Sequence, residues 1–230
     1  MKMILRIAAS LAGVFIVSGC HGRPVEIPTQ VIYRYDDHRY LELKGFYCEG
    51  ALWYTDTKRG IKTEVMDKFY RAFSETYINS SDRYVVIPDW DSYGGMVSKD
   101  YGETWDAISF TGRDCPNNKD IKSLTVVDDR AYFLVKDGRL YTSSAPFDDP
   151  RAMKGGTGID YIIDGEKAHL DAGHITNGWG LQFIQNTHLI NSTSGFLSNW
   201  QDAPQKVPEV KNYQGWDHMK CNPDLGLTAK

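Results

Sequence analysis

The strongest constraint on this chain is its succession of short apolar segments. VIYRY, RYLELKG, ALWYT, YVVIP, GGMVS, TWDAISF, SLTVVDD, RAYFLVK, RLYTSS, IDYIID, LQFIQN and HLINS are each rich in β-branched and aromatic residues, with Gly, Asp, Asn and Pro between them. Many short strands at close spacing predict a mainly β sandwich, barrel or propeller. Laying the hairpins over one another separates these choices. Starting at Arg39, Arg83, Arg130 and Leu181, the chain repeats the order apolar strand, polar turn, apolar strand, and the starts lie 44, 47 and 51 residues apart. That spacing suits propeller blades, so the expected fold is a propeller-like set of repeated antiparallel meanders.

One stretch departs from the pattern. In TEVMDKFYRAFSETYINSSD, Val65, Phe69, Phe73 and Tyr77 fall four residues apart, with Asp67, Lys68, Arg71 and Glu75 between them. This spacing predicts one added helix of about three turns docked on a sheet. The octapeptide SKDYGETW, residues 98–105, matches the Asp-box, a turn motif between outer strands of a propeller blade. Ser98, Asp100, Gly102, Thr104 and Trp105 are its structural positions. Asp100 is suited to accept bonds from turn N–H groups, Gly102 to adopt φ > 0, and Trp105 to pack into the sheet core. The role is structural, so the motif gives no support to glycoside hydrolysis.

The N-terminus reads as an export signal. Lys2 and Arg6 precede the apolar run IAASLAGVFIV, too short to span a bilayer and suited to a secretory h-region. Val17-Ser18-Gly19-Cys20 resembles the lipobox of bacterial lipoproteins, which implies cleavage before Cys20 and lipidation of its thiol. The expected organisation is therefore a cleaved signal at 1–19, a lipidated N-terminus and linker at 20–30, and a single β-rich domain at 31–230. Several acyl chains on one residue exceed the two signals that stable anchoring requires. His21 in place of an Asp after the cysteine favours the inner leaflet of the outer membrane, facing the periplasm. Membrane attachment is expected through this lipid only.

Charge excludes one class of partner. The whole chain carries a formal −4, and without residues 1–19 the balance is 24 basic against 30 acidic side chains. No basic stripe is available for counterion release, so nucleic acid is not an expected partner. Three cysteines lie beyond Cys20. Cys115 and Cys221 both sit in turn-rich contexts and form the expected disulfide in an oxidising compartment, whereas Cys48 lies in an apolar-aromatic segment. Close paired spacings for a metal are absent, and no cofactor is expected.

Catalytic motifs are sparse: the sequence holds no G-x-S-x-G, Walker loop or H-E-x-x-H. HLDAGH supplies His169, Asp171 and His174, which a strand and a turn could gather into a metal site or a small hydrolase centre; solvated loop histidines are the plainer reading. Asp36, Asp37 and His38 in RYDDHRY read as a turn between strands. Two aromatic and acidic turns are candidate partner-binding anchors: Trp90, Asp91 and Tyr93 in PDWDSYGG, and Tyr213, Trp216 and Asp217 in NYQGWDHM.

QVIYRYDDHRYLELKGFYCEGALWYTDTKRGIKTEV, together with MVSKDYGETW and IKSLTVVDDRAYFLVKDGRLY, resembles the Tli-type immunity lipoproteins of type VI secretion systems. The resemblance implies a periplasmic protein without enzymatic activity. It would bind a phospholipase effector and neutralise it by stoichiometric inhibition. An envelope- or sugar-binding lipoprotein module using the same aromatics is the alternative, with a hydrolase behind it.

Overall fold

The computed structural model describes residues 26–89, 94–109, 118–138, 140–142, 147–151, 153–163, 166–172, 184–186, 198–199 and 206–227. These residues are almost entirely strand and turn. The first sheet is an antiparallel meander of β1 (Thr29–Arg34), β2 (Arg39–Phe46), β3 (Glu49–Asp56) and β4 (Ile61–Arg71). Next come β5 (Thr76–Asn79) and a three-stranded sheet of β6 (Val85–Pro88), β7 (Gly94–Ser98) and β8 (Asp106–Ser109). A five-stranded sheet follows in the order β14-β11-β10-β9-β5. It is built from β9 (Ile121–Val127), β10 (Arg130–Val135), β11 (Leu140–Thr142) and β14 (Ile184–Asn186), with β5 running parallel to β9. The last sheet joins β12 (Ile159–Ile163) to β13 (Glu166–Leu170) and β15 (Ser198–Asn199). Among the described residues no sheet closes into a barrel. The first strand begins at Thr29, inside the segment expected to be linker.

Hairpins stand where three of the four repeats were placed: β2–β3, β6–β7 and β10–β11 are all antiparallel pairs. Most of the fourth lies outside the described residues, apart from β14, which pairs with β11.

The expected helix is not formed. Residues 61–71 are a strand in which Ile61, Thr63 and Val65 recur with period two, the pattern of a half-buried β surface. The four-residue spacing from Val65 to Phe69 comes from a bulge. Gly50 pairs with Tyr70 and Leu52 with Met66, so two steps along β3 oppose four along β4. Tyr70 is thereby returned to the core while Phe69 is pushed outward.

Tyrosines, rather than aliphatic side chains alone, fasten the sheets together. Tyr33, Tyr35, Tyr54, Tyr70 and Tyr77 are all buried, and the rings of Tyr33 and Tyr77 lie 4.4 Å apart. The Tyr33 hydroxyl donates to the Tyr77 carbonyl (2.7 Å), that of Tyr77 to the Val86 carbonyl (2.8 Å), and that of Tyr70 to the Pro88 carbonyl (3.1 Å). The rings of Tyr33, Tyr70 and Tyr77 thus supply buried apolar area while their polar tips find partners across a sheet boundary. Burial pushes the hydroxyls of Tyr35, Tyr70 and Tyr77 well above the ordinary phenol range.

Residues 206–227 contain no regular strand but act as a strap along the free edge of β1. Lys220 N donates to Ile32 O (2.7 Å) and Trp216 N to Arg34 O (2.8 Å). Tyr77 N donates to Asp217 O (2.8 Å), which ties β5 to the same segment. An edge strand otherwise presents unpaired backbone groups. A disulfide between Cys48 and Cys221 pins the strap to the β2–β3 turn. This corrects the expected Cys115–Cys221 pairing: Cys221 is carried by the strap to the turn that holds Cys48, and Cys115 lies outside the described residues.

Candidate functional site: an aromatic-rimmed groove on the first sheet

The β2–β3 connection is a two-residue turn, because Phe46 pairs with Glu49 on either side of it. Both central residues, Tyr47 (φ 55°) and Cys48 (φ 63°), have left-handed backbone conformations. Such hairpin turns ordinarily use Asn-Gly or Gly-Gly, since a side chain in this region is strained. Here the chain places a tyrosine and a cysteine instead. The disulfide holds the second residue, and the tyrosine projects outward at 69% exposure.

The β4 bulge supplies a matching element. Phe69 also has a left-handed φ of 61° and is 74% exposed. Ile27, just ahead of β1, is 48% exposed. These three are the majority of the five large apolar side chains exposed among the described residues, and all three line one groove of about 640 Å³. Its floor includes Gly45, Gly50, Ala51 and Trp53. The cross-strand glycine pair is obligatory: a Cβ on Gly45 would lie 2.0 Å from the Glu49 carbonyl oxygen and 2.7 Å from the Gly50 Cα. Glu49, Glu64 and Asp67 line the groove with Lys44 and Lys68, and Arg71 Nη2 binds Glu49 Oε2 at 3.0 Å.

The 98–105 turn lies between β7 and β8 and is closed by its own side chains. Ser98 Oγ donates to Asp100 Oδ1 (2.8 Å) and accepts from Gly102 N (2.8 Å). Asp100 accepts from Thr104 N (2.9 Å) and Thr104 Oγ1 (2.5 Å). Partial burial opposes ionisation of Asp100, but the bonds from Thr104 and Ser98 outweigh it and hold the carboxyl below the usual range. Gly102 (φ 93°) sits so close to the Tyr54 ring that a Cβ would approach Cε1 to 2.2 Å. Thr63 Oγ1 donates to Gly102 O (2.6 Å) and accepts from Trp105 Nε1 (2.9 Å). The turn therefore clamps the β6–β8 sheet onto the first sheet. Trp105 is only partly buried, against Tyr54.

The other sequence-derived candidates take plainer roles. Asp36 Oδ1 accepts from His38 N (3.0 Å) and Arg39 N (2.7 Å), and Asp36 Oδ2 from Arg39 Nε (2.6 Å), as a turn residue does. Asp36, Asp37 and His38 also form the single His/Cys/Asp/Glu group close enough to hold a metal ion among the described residues. Arg39 goes on to bond Ser81 O (2.9 Å), so this turn is structural. His169 is exposed, 2.7 Å from Asp160 Oδ1 and 3.7 Å from Asp171 Oδ1; His174 lies outside the described residues. The NYQGWDHM anchors belong to the strap. The Tyr213 hydroxyl bonds that of Tyr33 (2.7 Å), Trp216 packs against the core beneath Lys220, and only Asp217 is exposed. Trp90, Asp91, Tyr93 and Cys20 lie outside the described residues.

The sequence reading missed the groove. Its available signal was FYC at a two-residue turn with none of the usual turn formers, flanked by the glycines at 45 and 50.

Among the described residues, this defines a rigid β scaffold that presents a strained aromatic face rather than a gathered catalytic centre. Residues 25–135, just under half of the chain, match the family described as T6SS Tli3 immunity protein. Over that segment, which contains the groove and the 98–105 turn, the chain is similar to the Tli-type immunity proteins of type VI secretion systems. No curated protein matches the chain. No helix among the described residues is long and apolar enough to cross a membrane.

Proposed function

We propose that this protein is a lipid-anchored periplasmic immunity protein that binds a type VI phospholipase effector and neutralises it stoichiometrically. The observation that carries the reading is the family match over residues 25–135. The effector class and the lipid anchor come from the sequence. Lys2, Arg6, the apolar run and Cys20 make the anchor, and the resemblance to Tli-type lipoproteins supplies the phospholipase. The 98–105 turn acts as an Asp-box in a propeller-like scaffold, a reading supported by its bonding pattern and by the repeated hairpins. The scaffold suits inhibition: sheets stitched by buried tyrosine hydroxyls and a disulfide-pinned strap lose little conformational freedom on binding.

Co-expression with a type VI phospholipase effector from the same genome tests the function. Cells making both are expected to survive periplasmic delivery of the effector, and unchanged killing despite good expression of this protein would contradict the reading. Cys20→Ser is expected to release the protein from membranes; continued membrane fractionation would contradict the lipid anchor.

A further inference from the structure

We infer that the groove between Tyr47 and Phe69 is where the effector docks, receiving a protein segment that offers an apolar side chain flanked by basic residues. The inference rests on the effector-binding reading above and assigns it a surface.

Three observations converge on this face. Tyr47 and Phe69 are the two most exposed large apolar side chains among the described residues, and both occupy left-handed backbone. Non-glycine residues at such φ values concentrate at ligand clamps and other functional sites, where surrounding structure maintains the strain. Here the disulfide at Cys48 and the bulge in β4 maintain it. The aromatics also rim a concavity of about 640 Å³, roomy enough for an entering side chain, whose lining includes Gly45, Gly50 and Ala51. Large aromatics around a desolvated pocket are the usual energetic centre of a protein interface.

Charge helps decide among occupants. Glu49, Glu64 and Asp67 are balanced around the groove by Lys44, Lys68 and Arg71, the last bonded to Glu49. The chain as a whole, however, is acidic, at −4. That net charge disfavours an anionic membrane surface and a second copy of this chain. A basic, apolar protein segment complements the apolar rim and the long-range field.

The backbone strain provides a clean test. Replacing Tyr47 and Phe69 by glycine removes the aromatic anchors while relieving the left-handed conformations. The double variant Tyr47→Gly/Phe69→Gly is expected to fold with an unchanged or higher urea midpoint. Its affinity for a catalytically inactivated type VI phospholipase effector from the same genome, measured by calorimetry, should fall about 30-fold or more. Glu64→Lys/Asp67→Lys should slow association and flatten its salt dependence. Leu227→Ser, at an exposed apolar position off the groove, should change neither. Wild-type binding with equal affinity in the double variant would overturn the docking surface and leave the immunity reading standing. Tyr47- and Phe69-dependent adsorption to phosphatidylethanolamine/phosphatidylglycerol vesicles, or self-association lost in the double variant, would overturn it in favour of a membrane or a second copy. Absence of any wild-type binding would overturn both readings.

Discussion

Removing the Cys48–Cys221 disulfide should destabilise the protein far more than a surface change and should act first on the strap. The bond joins residues 173 apart in sequence. For a loop of that length, the chain-entropy treatment gives roughly 5 kcal/mol of constraint on the unfolded state, at the upper end of the usual range of about 2–5 kcal/mol. The native side adds a local consequence. The strap contains no regular strand, and its backbone bonds to Ile32, Arg34 and Tyr77 are few. Without the bond it should open below the global transition, exposing the β1 edge. The strained Tyr47-Cys48 turn would lose its restraint at the same time. The assay is urea unfolding of the wild type and of Cys48→Ala/Cys221→Ala, with limited proteolysis in native buffer. The double variant should unfold at lower urea by several kcal/mol, and cleavage should begin within residues 206–227. A stability loss below about 1 kcal/mol, with the strap still protected, would refute the reasoning.

Asp100→Ala removes the acceptor for Thr104 N and Thr104 Oγ1 and should cost about 1–2 kcal/mol in urea unfolding. Asp100→Asn, which keeps one acceptor oxygen, should cost less. Tyr77→Phe should cost about 1–3 kcal/mol, because the bonds to Tyr35 and Val86 are lost in the core. Tyr54→Phe should be near neutral, because the buried Tyr54 hydroxyl has no hydrogen-bond partner among the described residues. Asp36, Asp56 and Asp100 all sit below the usual carboxylate range: burial opposes ionisation in each, but bonds from Arg39, Arg59 and Thr104 respectively outweigh it. Their contribution is therefore present above the unfolded-state pKa and lost as pH falls through the folded one. Thermal midpoints should hold steady at neutral pH and decline progressively below about pH 5, where a flat profile would contradict these bonds.

The β character was legible because β-branched and aromatic residues recur between turn formers, and three repeat hairpins occur where the spacing placed them. The 98–105 turn was legible for the same reason: its bonds run between residues at most four apart. The helix over Val65–Tyr77 failed because a bulge imitates helical spacing when only residue types are visible, and the bulge is fixed by pairing with β3. The disulfide failed because the position of Cys221 depends on a strap laid along β1, a contact between chain ends. Tyr213 and Trp216 resembled binding anchors because aromatic turns look alike, whether they face a partner or seal an edge. The groove stayed hidden because strain at Tyr47 and Phe69 belongs to backbone conformation rather than to composition.

The most direct measurement is a titration of the purified protein into a type VI phospholipase effector from the same genome, following phospholipid hydrolysis. A linear loss of activity that reaches its floor at one molecule per effector is expected, with no turnover of lipid by this protein alone. Undiminished hydrolysis at a molar excess, or lipid turnover by this protein itself, would contradict the proposed function.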